Sequence, residues 1–322
     1  MRSKKVLVTG GAGFIGSHLC EALLAKKHEV VCFDNFFRGK QENVQHLIGR
    51  KDFTLIKGDI RNSAEVEKVV QNCDIVHHLA AINGTKYFYE EPILITDVNV
   101  NGTLNVLKAA LDSNVKRITF ASSPEVYGLP DKIPTPEDAL CIFDNPTKTL
   151  RHSYSTSKYL GDVLCLAFQQ KYGLPITVLR YFNIYGPRLI GTEYGQVVSI
   201  FIKRALEGKQ IEIFGDGKQT RSFTYVNDAV DATIKAQEKE KAVGHALNIG
   251  IQKETTINEL ASRVLKVCKS RAKIIHKPAL VGDAQRRCPD TKKTGKILGW
   301  KAKIGLDAGL KNTVEWFKEQ NG

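Results

Sequence analysis

In the stretch "YSTSK", Tyr154 and Lys158 stand four residues apart. On a helix that spacing puts both side chains on one face. An ammonium beside a phenol stabilises the phenolate and lowers its pKa, which would let Tyr154 take a hydroxyl proton as hydride leaves the attached carbon. Upstream, "ASSPEVYG" holds Ser122, Ser123 and Glu125, and a serine hydroxyl there can bridge the same substrate oxygen. YxxxK pairs are common, so these residues need a place to act. "VTGGAGFIG" supplies one, with Gly10, Gly13 and Gly16 in a GxxGxxG spacing. Between a strand and a helix, missing side chains let the turn close and let a pyrophosphate reach the N–H groups at the helix start, around Phe14 and Ile15. Asp34, 18 residues beyond Gly16 in "CFDN", is placed to accept from an adenosine ribose hydroxyl. The same carboxylate repels a 2′-phosphate, so NAD is expected over NADP, with Asn35 adjacent. Asp59 and Ile60 of "KGDI" are expected to flank the adenine.

These residues have to be carried by regular elements. Apolar, β-branched runs predict strands over 5–9, 29–33, 53–57, 75–79, 117–121 and 176–181. Helical patterns lie between them, including 97–113. Such alternation implies parallel strands covered on both faces, a doubly wound α/β sheet of Rossmann type. After residue 183 the pattern loosens. Residues 185–195 read as a loop, "VVSIFIKRALEG" as a helix and "IEIFGDG" as a short strand entering a turn. A capping box, Thr256 to Glu259, opens a further helix. The expected organisation is a dinucleotide-binding domain over 1–183 and a smaller substrate-binding α/β region over 184–322, interleaved and packed together around a cleft.

Bulk properties narrow the classes. The 322 residues are 42% hydrophobic and 25% charged, ordinary for a soluble protein. No apolar run approaches the ~20 residues of a membrane span, and the first strand follows the N-terminus directly, so a cytoplasmic location is expected. The seven cysteines form no CxxC pair, and among eight histidines only His77 and His78 are close neighbours; no metal is expected. The formal charge of +13 suits nucleic acid in principle. The basic residues are scattered, however, and an anionic small-molecule substrate is the better match.

Taken in order, "TGGAGFIG", "DN", "GDI", "HLAA", "NVNGT", "SSPEVYG", "YSTSK", "RYFNIYGPR", "FGDGKQTRSFTYVND" and "DTKKTGKILGW" resemble the extended short-chain dehydrogenase/reductase family, specifically its nucleotide-sugar epimerases, dehydratases and decarboxylases. The resemblance covers nearly the whole chain. It implies tightly held NAD and transient oxidation of a nucleotide-diphosphate sugar, most often a UDP-sugar, at C4. Ser123, Tyr154 and Lys158 match the catalytic Ser/Thr, Tyr and Lys, with Lys158 also on the nicotinamide ribose. Leu79, Ala80, Ala81 and Asn99 match cofactor contacts. Asn183, Arg221 and Arg287 match residues that hold the diphosphate and sugar, a role suited to forked guanidinium donors. The aromatic run 87–89 follows a strand's carboxyl end, which puts Tyr87 or Tyr89 at the sugar. A homodimer through helices 97–113 and 154–172 is also implied.

The branches differ after the 4-keto sugar. The dehydratases carry Asp-Glu after the catalytic Thr, where this chain has Pro124 and Glu125, and proline cannot donate a proton. Glu125 resembles the UDP-glucuronate decarboxylases; the segment "INGTKYFYEEP" departs from them, and the later half looks equally like UDP-glucose 4-epimerases. Epimerisation needs only Ser, Tyr, Lys and NAD, and it is the expectation here, with Glu125 as a further candidate in the catalytic set. Decarboxylation, net C4 oxidation with a second substrate recycling NADH, and a non-catalytic NAD sensor are the alternatives.

Overall fold

The computed structural model describes residues 3–191, 196–279 and 284–320. Of the loop expected over 185–195, residues 192–195 lie outside the described residues.

Six strands form where β-branched runs predict them: β1 Lys5–Thr9, β2 Glu29–Asp34, β3 Phe53–Lys57, β4 Ile75–His78, β5 Arg117–Ser122 and β6 Ile176–Tyr181. All pair in parallel, in the order β6-β5-β4-β1-β2-β3, and an edge strand, Ala246–Ile249, joins β6. The order reverses between β1 and β4, and the crevice beyond the carboxyl ends of those strands is where doubly wound sheets bind ligands.

Side-chain alternation feeds two apolar layers. Val6 and Val8 of β1 pack with Leu19 and Leu23 of helix Phe14–Ala25, whereas Leu7 faces Val66 and Val106 from helices Ser63–Val70 and Gly102–Asp112. The first layer continues without a break into Phe201, Ile213 and Leu260 of the C-terminal region. With a strand from beyond residue 184 completing the main sheet, the two expected regions share one sheet and one core.

The predicted helix over 97–113 begins earlier and contains a distortion. Chain 92–112 is helical throughout, with one π turn at Asp97–Asn101. There Asn99 turns inward, accepting from Ile82 N–H (2.8 Å) and donating to the Ile82 carbonyl (3.1 Å). The helix carrying Tyr154 and Lys158 runs Ser153–Tyr172 and stops at Gly173, which takes φ +70°, a left-handed cap conformation that glycine adopts without strain. Thr256 caps helix Ile257–Cys268 by accepting from Glu259 N–H at 3.1 Å. The Glu259 carboxylate, which a capping box would turn back on Thr256, accepts from Arg263 instead (3.0 and 2.6 Å).

His77 and His78 sit fully within the sheet. His77 bridges Thr119 (2.6 Å) and Gln237 (2.7 Å), and His78 bridges Thr9 (2.7 Å) and Thr103 (3.0 Å). Burial lowers them to about 4 and about 3 respectively, so both are neutral struts.

Short strands finish the C-terminal region. Thr220–Arg221 pairs with Thr255–Thr256 on one side and Arg286–Arg287 on the other, and Arg221 lies directly opposite Arg287. Ile211–Phe214 pairs with Ile274–Lys277.

Candidate active site

A cavity of about 490 Å³ lies over the carboxyl ends of the sheet. Its floor at one end is the glycine turn. Gly10 holds φ +69°, and a Cβ there would stand 2.8 Å from Ala80 N; a Cβ on Gly16 would stand 2.1 Å from the Gly10 carbonyl oxygen. Both positions need bare backbone for the turn to close. Gly13 differs, since a Cβ there would meet only the Gly10 oxygen, at 3.1 Å. No side chain caps helix Phe14–Ala25, which leaves its first N–H groups, beside the cavity-lining Gly13, Phe14, Ile15 and Gly16, to a ligand. Backbone donors at a helix start, walled by Leu79, Ala80 and Ala81, fit a dinucleotide pyrophosphate.

Asp34 closes this end. It accepts from Ala12 N–H (3.0 Å) and Phe36 N–H (2.8 Å). Burial raises its pKa, while those N–H groups and that of Gly13 oppose the shift. The carboxylate therefore also braces the glycine turn, beyond the ribose contact expected of it. Asn35 and Ile60 line the cavity.

At the centre, Ser123 and Tyr154 line the cavity together, and Ser123 Oγ accepts from Glu125 N–H at 3.3 Å. Lys158 Nζ donates to the Ala121 carbonyl at 2.8 Å and lies 4.9 Å from the Phe120 ring centroid. The expectation that lysine lowers the phenol pKa is corrected in the protein alone. Burial pushes Tyr154 well above its ordinary value, with Ser123 opposing and the Glu125 charge adding to the rise. Lys158, engaged with the carbonyl, is lowered by burial to about 8, against the pull of Asp162.

The other end carries charge. Glu125 is buried between Arg151 Nη1, at 3.0 Å, and Arg287 Nη1, with Ser155 Oγ donating at 3.2 Å. Burial alone would raise its pKa, yet Arg287 and Arg151 outweigh that and hold the carboxylate ionised, well below its usual range. Arg221 and Asn183 line the same space. Arg221 Nη1 donates to the Thr220 carbonyl (2.8 Å) and Asn183, at φ +41°, to that of Ser222 (3.3 Å). All three arginines are buried, unlike side chains of surface salt bridges.

Three expected contacts fall outside the lining. Asp59 is tied to Arg61 (2.8 Å) and Asn35 (2.9 Å) and lowered to about 2, chiefly by Arg61. Asn99 spends its amide on Ile82 and Ser157. Tyr87 packs on Phe37 (5.7 Å) beneath the Arg38 guanidinium (5.6 Å), and Tyr89 is the tyrosine of that run which lines the cavity. Sequence reasoning missed Arg151 and Phe88. Arg151 stands three residues before Tyr154, and that proximity was the available signal; Phe88 had none beyond its place in the aromatic run. Among the described residues no group of three His, Cys, Asp or Glu could hold a metal, and no helix is long and apolar enough to cross a membrane.

Comparison with known proteins gives this geometry its setting. A UDP-N-acetyl-alpha-D-glucosaminuronate decarboxylase of Bacillus cytotoxicus is 40% identical, with 98% of each chain covered. The crystal structure of a UDP-glucose 4-epimerase with UDP-glucose from Thermotoga maritima matches at TM-score 0.90 and 34% identity, over 99% of this chain and 100% of that one. A UDP-glucuronic acid 4-epimerase of Bacillus cereus, in complex with UDP-glucuronic acid and NAD, matches at TM-score 0.89 and 32% identity, over 98% and 99%. The family model for NAD dependent epimerases and dehydratases matches residues 6–250. With three quarters of its length matched by that model, this chain belongs to the NAD dependent epimerase/dehydratase family, and NAD is its cofactor.

Proposed function

We propose that this protein oxidises C4 of a UDP-hexuronate and releases the C6 carboxylate as carbon dioxide. The observation that carries the proposal is the buried Arg151–Glu125–Arg287 cluster in the cavity wall beside Ser123 and Tyr154. Two buried guanidiniums in one wall are forked donors matched to carboxylate geometry, which suits a substrate bearing a carboxylate better than a neutral hexose. When bound, NAD supplies the hydride acceptor and, in its oxidised form, a positive charge that favours phenolate. Tyr154 takes the C4 hydroxyl proton, and Ser123 donates to the same oxygen. Once C4 is a ketone, the C6 carboxylate is β to it. Breaking the C5–C6 bond sends its electron pair towards the C4 oxygen, where the Ser123 and Tyr154 hydroxyls stabilise the developing charge. C5 then takes a proton from water, and C4 takes back the hydride together with the Tyr154 proton, so that the cofactor ends each turnover oxidised. Glu125, locked as an anion, cannot donate a proton itself; its part is to fix the arginines.

Epimerisation at C4, the sequence-level expectation, is the second reading. The likeness to two solved 4-epimerases favours it, and it asks nothing of Glu125. Incubating the purified protein with UDP-glucuronate, UDP-N-acetylglucosaminuronate, UDP-glucose and UDP-galactose separates the readings by NMR of product sugars and carbon dioxide release. One equivalent of carbon dioxide per hexuronate consumed is the expected result. C4 interconversion without it would make the protein an epimerase, accumulation of NADH an oxidase, and no turnover of any sugar a sensor.

A further inference from the structure

The segment "INGTKYFYEEP" that departs from the decarboxylases folds as helix Thr85–Glu90, entered through Gly84 at φ +114°. Successive residues on a helix point about 100° apart, and the three aromatics diverge. Tyr87 meets Phe37 and Arg38, Tyr89 lines the cavity, and Phe88 turns onto Tyr154. The Phe88 and Tyr154 rings lie 4.7 Å apart between centroids and within 9° of parallel. A second tie runs beside the first, because Ser153 Oγ donates to the Phe88 carbonyl at 2.9 Å. The residue before the tyrosine thus grips the backbone of the residue on which the tyrosine stacks.

We propose that Phe88 is a positioning residue for Tyr154, a flat wall that sets the ring's orientation and keeps water from one of its faces. This rests on Tyr154 being the proton-transfer group of the preceding reading. Ser123 lines the cavity beside the phenol, and Phe88 fixes the plane of its ring. Parallel aromatic pairs at this separation attract beyond simple burial, and Phe88 is itself only 5% exposed, so the covered face is shielded from solvent. The dryness it provides is part of the burial that raises Tyr154. Orientation matters because a misplaced proton acceptor costs rate steeply.

The test uses holoenzyme labelled with 3-fluorotyrosine, in which the fluorine signal of residue 154 is assigned by its loss in Tyr154→Phe. In Phe88→Ala we expect kcat to fall about tenfold, with KM for the UDP-sugar within about threefold. The fluorine-detected titration midpoint of residue 154 should fall by about one pH unit as water reaches the ring. Phe88→Leu, which keeps the site apolar, should show both changes at smaller size and carries the test if Phe88→Ala does not fold. A fall in kcat with the midpoint unmoved marks general packing and overturns the proposal, as does a shifted midpoint with unchanged kcat, or no change in either. Failure of the underlying reading looks different, since Tyr154→Phe would then keep near-normal turnover whatever the Phe88 variants do.

Discussion

The two ends of the cavity are built on different principles. The cofactor end is local and made of backbone. Seven consecutive residues form the glycine turn, one carboxylate braces it, and its ligand-facing groups are peptide N–H donors. The opposite end is made of side-chain charge gathered from separate segments: Glu125, Arg151, Arg221 and Arg287. A backbone site is specified by where side chains are absent, and its tolerance can be judged position by position. A charge cluster is specified by mutual compensation, so no member can be judged alone. Between the two ends lies Tyr154, beside Ser123 at the end of the sheet and stacked on Phe88 of the departing segment.

The largest effect should come at that junction. Tyr154→Phe keeps the stack on Phe88 and removes only the proton carrier, so turnover should fall about 10² to 10⁴-fold. Binding of NAD and UDP-sugar, measured by calorimetry, should change little. Retained turnover would remove Tyr154 from the chemistry and leave the two ends joined by something else.

Next come the charges. Arg287→Met strips Glu125 of its strongest partner in a buried site, a kind of change that costs about 3–5 kcal/mol. Urea unfolding should register that loss, and adding Glu125→Gln should recover part of it. A double variant no more stable than Arg287→Met would show that the cluster is not a compensated unit. At the other end, Gly16→Ala drives a Cβ into the Gly10 carbonyl, whereas Gly13→Ala makes one contact at 3.1 Å. NAD retention should therefore collapse in the first and weaken in the second. Equal effects would erase the distinction between turn closure and ligand approach.

The sheet beneath both ends sets an acid limit. His77 and His78 have folded pKa values of about 4 and about 3, below the unfolded ~6.5. Between those limits the unfolded chain binds more protons, so stability falls as pH drops from about 6.5 towards 4. At pH 5 the loss should be about 2 kcal/mol per histidine. Thermal melts across this range should show it, and His78→Gln should flatten the slope; an unchanged slope would assign the acid sensitivity elsewhere.

The smallest expected change is Asp34→Ala. Loss of one ribose contact and of a brace for the turn should weaken NAD by about 1 kcal/mol and narrow its preference over NADP. Wild-type preference for NADP, read in the same titration, would sink the ribose assignment.

How much of this could be read in advance differs by element. The strands, the glycine turn and the N-cap at Thr256 were legible because each is decided within a few residues by β-branching, missing Cβ atoms or a cap. The π turn at Asp97–Asn101 was not, since it exists to let Asn99 reach Ile82. The ionisation of Tyr154 was misjudged for a similar reason. Its spacing to Lys158 is local, but burial and the Ala121 carbonyl, which set the actual balance, come from other elements.

By itself the sequence determined the sheet, the cofactor turn and the identity of the proton-transfer candidates, because those follow from periodicity and from residue types close together in the chain. Only the tertiary structure decided that Arg287 lies opposite Arg221, that both reach the wall holding Glu125, and that Phe88 rather than Tyr87 faces Tyr154. Strand pairing across 66 residues and the compensation of buried charge are properties of packing, and neither leaves a mark on any short stretch of sequence.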